Sequence, residues 1–179
     1  MLRKWQGEGE HRELIQLAAL KVELHQKGLD IVEQFSTLIK PKINPQLSDY
    51  IIELTGITQL HIDSYGVDFS SAMHSFEQFS ENGKLPVLAW GKDEEVIAEN
   101  SQLQGQDRVM TSTTFIDLYQ RMLSKGVVSK GVSSGQLAKF VGVVLEGHAH
   151  NALFDVDNIA IALDTWLARG VIGVADIVE

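Results

Sequence analysis

The chain has 179 residues, 44% of them hydrophobic, a formal net charge of -9 and no cysteine. Its length suits a single domain over residues 1–179 with a proper core, and its acidity argues against a broad basic surface for gripping nucleic acid. Disulfides and thiolate zinc sites are excluded, so any metal would be held by oxygen or histidine, the ligands that suit hard ions such as Mg²⁺ or Mn²⁺. No apolar run approaches the roughly 20 residues that span a bilayer. The start, Met1-Leu2-Arg3-Lys4-Trp5-Gln6-Gly7-Glu8, has no apolar signal core, so a cytoplasmic location without membrane attachment is expected.

The first dozen residues are polar and read as an entering loop. Leu14 to Glu23 and Ile31 to Ile39 are apolar, partly alternating runs separated by Lys27-Gly28-Leu29-Asp30, the pattern of an antiparallel hairpin. Propensity alone would also allow a helix over the first run, which is rich in Leu, Ala, Lys and Glu. Pro41 and Pro45 then break regular structure, and Leu47, Tyr50, Ile51 and Leu54 mark a short helix that ends at Gly56, as a left-handed cap would end it. Phe69 to Phe79 predicts a helix with Phe69, Ala72, Met73, Phe76 and Phe79 on one side, aromatics that suit a core better than a base-stacking platform.

Pro86 to Trp90 predicts a short buried strand followed by Gly91-Lys92-Asp93-Glu94-Glu95. A carboxylate just past the carboxyl end of a strand is where open α/β sheets place functional groups, although an acidic helix start has the same spacing. Met110 to Phe115 favours a strand that passes into a helix through Ile116, Leu118, Tyr119 and Met122, and Ser133 to Gly142 reads as a capped short helix. The tail after Arg169 is apolar but broken by glycine.

Chemistry concentrates in Gly147-His148-Ala149-His150-Asn151-Ala152-Leu153-Phe154-Asp155, at the mouth of a helix striped by Leu153, Val156, Ile159, Ala160, Leu163, Trp166 and Leu167. Asp155 and Asn158 fall on a different face. His150 precedes the helix in a polar turn, so its imidazole can reach over the helix-borne Asp155 as a general base beside a metal ligand. On spacing alone, the plainer reading is favoured, a solvated His-x-His turn and a carboxylate that complements the helix dipole.

Resemblance reverses that balance. The string His150-Asn151-Ala152-Leu153-Phe154-Asp155, followed by Asn158-Ile159-Ala160, resembles the last motif of the DnaQ-like 3′-5′ exonucleases, the DEDDh group, where a histidine precedes an aspartate by five; Phe154 stands where members often have a second acid. Lys40 to Asp49 with Leu54-Thr55-Gly56-Ile57-Thr58-Gln59 is similar to the Eri-like and KapD-like branch, a longer and more specific match. The similarity covers roughly Glu8 to Leu167.

It implies an α/β ribonuclease-H-like mixed sheet flanked by helices, and stepwise hydrolysis from a single-stranded 3′ end of RNA or DNA. His150 would deprotonate water, since an imidazole titrates near the operating pH, while Asp93 and Asp155 would hold Mg²⁺ or Mn²⁺. Asp93 takes its role from the Trp-Gly element before it, with Glu94 in its place if the alignment slips by one. Thr55, Gly56 and Ile57 would lie against the terminal nucleotide. A net negative charge does not exclude such an enzyme, because metal ions at a strand end offset phosphate charge locally.

The family's first motif, Asp-x-Glu on a central strand ahead of the hairpin, has no counterpart between Met1 and Glu13, where Glu8-Gly9-Glu10 is loop-like. Asp93-Glu94-Glu95 has that spacing but belongs to the later motif. Two consequences are expected. Two-metal hydrolysis needs several carboxylates around ions about 3.5 to 4 Å apart, and a sheet lacking its central strand leaves backbone groups unpaired. The alternative function is a nuclease-like module that binds nucleic acid or a protein without cutting.

Overall fold

The computed structural model describes residues 11–105, 110 and 112–178. Glu8-Gly9-Glu10 lies outside the described residues, as does Thr111 of the Met110-to-Phe115 run. The hairpin expected from alternation is present as β1 (Gln16–His25) and β2 (Gly28–Leu38), antiparallel, with Gln16 opposite Leu38 and His25 opposite Gly28. The β pattern outweighs the helical propensity of the first run because pairing with β2 satisfies its backbone groups along its length. The turn falls two residues earlier than the glycine suggested, at Gln26 and Lys27, and a register shift lies between Lys21 and Val22.

Two short helices follow, α1 (Asp49–Thr55) and α2 (Gln59–Tyr65). Ser48 caps α1, and Gly56 ends it in the left-handed region at φ 72°, donating its N–H to the Ile52 carbonyl at 2.9 Å. Sequence reading overlooked α2, although Thr58 and His61 cap it reciprocally. The loop before α1 is tied down by Glu13, whose carboxylate accepts the N–H groups of Lys42, Ile43 and Asn44.

Helix α3 (Phe69–Phe79) has the expected bounds, with Asp68 as its cap. It is followed by β3 (Val87–Ala89), α4 (Asp93–Leu103), β4 (Phe115–Asp117) and α5 (Leu118–Ser124). Strand β4 starts only at Phe115 and includes Ile116, so the strand signal in the preceding threonines is not realised among the described residues, and the helix begins two residues after Ile116. A 3₁₀ turn at Ser134–Gln136 leads into α6 (Leu137–Phe140), then α7 (Ala152–Ala168) and α8 (Ala175–Val178).

Strands β3 and β4 are parallel, pairing Val87 with Phe115 and Ala89 with Asp117, and a parallel bridge joins Ile39 to Val67. The β1–β2 and β3–β4 pairs are separate two-stranded sheets. No described strand lies between them, as expected for a ribonuclease-H-like α/β fold without its first, central strand. One apolar layer gathers Leu118, Met122, Leu137, Leu163, Trp166 and Leu167 around α7, and another gathers Ile39, Phe69, Met73, Phe76 and Ile97 around α3. Trp90 joins the first layer, with its ring 6.4 Å from that of Trp166 and its Nε1 donating to the Val132 carbonyl at 3.0 Å.

Helix α7 departs from the simple stripe. Asn158 is buried, at 1% exposure, with its Oδ1 accepting the Ala138 N–H at 3.1 Å and its Nδ2 donating to the Phe154 carbonyl at 2.8 Å. It therefore faces α6, while Asp155, Val156 and Ile159 line a cleft between the two sheets. The cause is packing on more than one side of the helix, which a single-stripe reading does not resolve.

No helix among the described residues is long and apolar enough to cross a membrane.

Candidate active site

The carboxylates gather where the two parallel strands end. Asp93 is the first residue of α4, four residues beyond Ala89 at the end of β3, and Asp117 ends β4 opposite Ala89. Adjacent parallel strands thus deliver Asp93 and Asp117 to the same edge, the side of an open α/β sheet where functional groups collect. Asp117 also accepts the Gln120 N–H at 3.0 Å, capping α5.

Asp155, in the first turn of α7, faces this edge across the mouth of the cleft, which both Asp93 and Asp155 line. Asp93 is exposed as a residue but lines the cleft, whose walls desolvate its carboxyl. That desolvation raises the carboxyl above its ordinary 3.8, and the charges of Asp117 and Asp155 raise it further. Asp155 is also raised, by burial, against the opposing effects of a Ser134 hydrogen bond, the His150 backbone N–H and the His150 charge. Its Oδ1 is buried with no hydrogen-bond partner. A Cβ on Gly135 would come within 2.7 Å of that oxygen, so only glycine fits against it without displacement.

His150 has φ 70°, a left-handed conformation rare outside glycine. Asn151 caps α7, its side chain accepting from the Leu153 and Phe154 N–H groups, while Gln16 of β1 accepts the Ala152 N–H at 2.8 Å. These bonds satisfy the first donors of the helix and set where the His150 loop joins it.

The turn Thr55-Gly56-Ile57 reaches the same loop. The Thr55 carbonyl accepts from Asn151 Nδ2 at 3.3 Å, and a Cβ on Gly56 would stand 2.8 Å from His148 Cδ2. Thr55 and Ile57 are buried, so Gly56 is the member that faces His148 directly.

The structure therefore brings Asp93, Asp155 and His150 into one neighbourhood and sets Thr55 to Ile57 against the segment that carries His150. Sequence reading did not single out Asp117, Ser134, Gly135, Gln16 or Asn151 for the site. Asp117 had an available signal, a carboxylate just past a β-favouring run, the signal that marked Asp93.

A sequence model of the family RNase_T, described as "Exonuclease", matches residues 6–163. The chain belongs to this exonuclease family. The 3′-5′ exonuclease eri1 of Schizosaccharomyces pombe (strain 972 / ATCC 24843) is 41% identical over 51 residues, which are 28% of this chain and 16% of that protein.

Among solved structures, a 3′-exonuclease described for 3′-end specific recognition of a histone mRNA stem-loop superposes with a TM-score of 0.73 at 23% identity, covering 88% of this chain and 57% of that one. The nuclease domain of 3′hExo, a DEDDh family member bound to rAMP, gives 0.71 at 24% identity, covering 88% and 82%. Exonuclease I of E. coli in complex with a dA16 oligonucleotide gives 0.60 at 18% identity, covering 87% and 38%. The likeness to these solved structures establishes the α/β exonuclease fold. The chain spans 16% of the yeast relative and 57% of the first of these structures.

The family's divalent metal can be tested against the residues present. The unpartnered Asp155 Oδ1 is a suitable oxygen ligand, and the raised Asp93 and Asp155 carboxyls are groups that a cation would return to the anionic form. Yet among the described residues no group of three or more His, Asp or Glu could hold an ion, and Mg²⁺ demands near-octahedral coordination. The set fits one side of a metal centre and does not complete it.

Proposed function

We propose that this chain is a 3′-5′ exonuclease domain acting on a single-stranded 3′ end of RNA or DNA, with His150 as general base. In this reading Asp93 and Asp155 supply two of the oxygen ligands for Mg²⁺ or Mn²⁺, and Thr55, Gly56 and Ile57 seat the terminal nucleotide. The observation that carries it is the place of Asp155 in the first turn of α7, lining the cleft that Asp93 also lines, with His150 on the loop that enters this helix. An imidazole held on that loop can take a proton from water at the cleft mouth. The bond between Asn151 and the Thr55 carbonyl keeps the nucleotide-seating turn against the same loop. A substrate held at its terminus needs little basic surface, which accords with a net charge of -9.

The lack of a three-ligand cluster among the described residues favours a second reading, a nuclease-like module that binds nucleic acid or a protein without cutting. One experiment separates the two. The 179-residue chain, and the same chain extended upstream by a strand bearing Asp-x-Glu, are incubated with a 3′-labelled oligonucleotide and Mn²⁺. Digestion by the extended chain, lost in His150→Ala with an unchanged melting temperature, is expected. A folded extended chain that binds the oligonucleotide and releases no nucleotide would replace the nuclease reading with the binding module. Robust digestion by the short chain would show that the local carboxylates suffice.

A further inference from the structure

Two parts of the site are each held together by bonds of their own. The turn that ends α1 is braced from within: Thr55 Oγ1 donates to the Ile51 carbonyl at 2.8 Å and accepts the Ile57 N–H at 3.1 Å, and the Gly56 N–H donates to the Ile52 carbonyl at 2.9 Å. The start of α7 is fixed separately. There Gln16 Oε1 of β1 accepts the Ala152 N–H at 2.8 Å, and the Asn151 N–H donates to the His148 carbonyl at 3.1 Å, closing the turn that carries His150. Neither set of bonds decides how far the Thr55–Ile57 turn stands from His150.

One side chain spans that junction. Asn151 Oδ1 accepts the N–H groups of Leu153 at 3.2 Å and Phe154 at 3.5 Å, as a helix cap does, and also accepts from Gln16 Nε2 at 3.4 Å. Its Nδ2 donates across the junction to the Thr55 carbonyl at 3.3 Å. Thr55 is the last residue of α1, where backbone acceptors have no partner within the helix. Each end of the amide is thus anchored on main chain, and the residue that carries it is bonded directly to His150.

The residue type separates two roles. As caps, Asn, Asp and Ser are nearly equivalent. Serine offers one short hydroxyl and aspartate no donor, whereas the amide sets a donor beside its acceptor, so it can cap one element and reach the other. The His148 ring packed on Gly56 adds contact across the same junction, but it has no hydrogen bond's direction.

We infer that Asn151 is a positioning residue: its amide sets the register between the Thr55–Ile57 turn and the imidazole of His150. The inference rests on the proposed function for the roles of that turn and of His150. Without the Nδ2 donor both parts stay formed, but the gap between them is free to vary. A misplacement of about 1 Å is enough to slow chemistry about a hundredfold, while it costs little in stability or in binding at the turn.

The test compares the 179-residue wild type with Asn151→Ser and Asn151→Ala, using adenosine 5′-monophosphate and Mg²⁺ as the probe. Melting temperature, nucleotide affinity and the nucleotide-induced shift of the His150 ring protons are read, the last assigned with His150→Gln. The serine variant should melt within about 2 °C of the wild type and the alanine variant roughly 1–8 °C lower, since only serine keeps a cap. Both should bind the nucleotide within about threefold of the wild type, because the bonds inside the turn remain, and both should lose more than half of the His150 shift. A full His150 shift in the serine variant would show that the amide only caps α7 and would overturn the inference. A wild type that binds no nucleotide, or binds it with His150 unmoved, would remove the roles assigned to the turn and the base, overturning the proposed function and this inference with it. The wild-type arm therefore reads the proposed function, and the serine arm reads Asn151.

Discussion

Replacing Asn158 separates the role of one buried amide from that of the carboxylates near it. Ala138, 1% exposed, lies in the first turn of α6, where backbone donors have no partner within the helix. Asn158 Oδ1 is the acceptor for its N–H at 3.1 Å. In Asn158→Leu that N–H is left buried and unpaired, at a cost of about 1–3 kcal/mol. For a domain of this size each kcal/mol lowers the melting temperature by roughly 2–4 °C, so a fall of about 2–12 °C is expected.

Asn158→Asp keeps the acceptor but sets a carboxylate oxygen against the Phe154 carbonyl, to which the amide now donates at 2.8 Å. Burial would raise the folded-state pKa of that aspartate above its unfolded value. The folded state then binds the extra proton more tightly, so stability falls as pH rises from the unfolded value through the folded one and is recovered on acidification, when the protonated acid can donate to Phe154. Thermal melts of both variants from acid to neutral pH provide the assay. An unchanged melting temperature in Asn158→Leu, or a pH-independent deficit in Asn158→Asp, would refute the assignment of Asn158 as the cap of α6. Because α6 continues the 3₁₀ turn that carries Ser134 and Gly135, loosening it should also free the Asp155 carboxylate.

Asp155→Asn should flatten the pH dependence of stability. With the wild-type carboxyl raised above 3.8, the native state loses stability as pH climbs from 3.8 through the folded value. The amide variant lacks that loss, so its melting temperature should gain on the wild type over this window, and parallel curves would contradict the raised assignment. Gly56→Ala should cost about 1–2 kcal/mol for a left-handed non-glycine residue, in addition to its contact with the His148 ring. In a thermal melt, His148→Ala should restore only the part due to contact; full recovery would show that backbone strain at φ 72° has no measurable cost.

Some of this protein was determined by local sequence. Phe69, Ala72, Met73 and Phe76 recur at helical spacing and are all buried, so α3 has the bounds that the pattern implies. The apolar runs before and after Gly28 pair as a hairpin because alternation and a short turn are local properties. The positions of Asp93 just past a strand and Asp155 in a first helical turn were legible locally, but spacing alone suited a helix-dipole role as well or better, and the site role expected for them came from the resemblance of the Leu54-to-Gln59 and His150-to-Asp155 strings, and the Trp-Gly element before Asp93, to the exonuclease family.

Tertiary structure decided what lies beside what. That Asp117 meets Asp93 follows from β4 lying parallel to β3, a pairing across Ala89 and Asp117 that no local periodicity encodes. The Thr55 carbonyl meets Asn151 across 96 positions of sequence, and Gln16 meets Ala152 across 136. Asn158 faces α6 because α7 is packed on several sides, and its role depends on a donor 20 residues away. A sequence pattern fixes which groups a segment must bury or pair, and only long-range packing selects the partner.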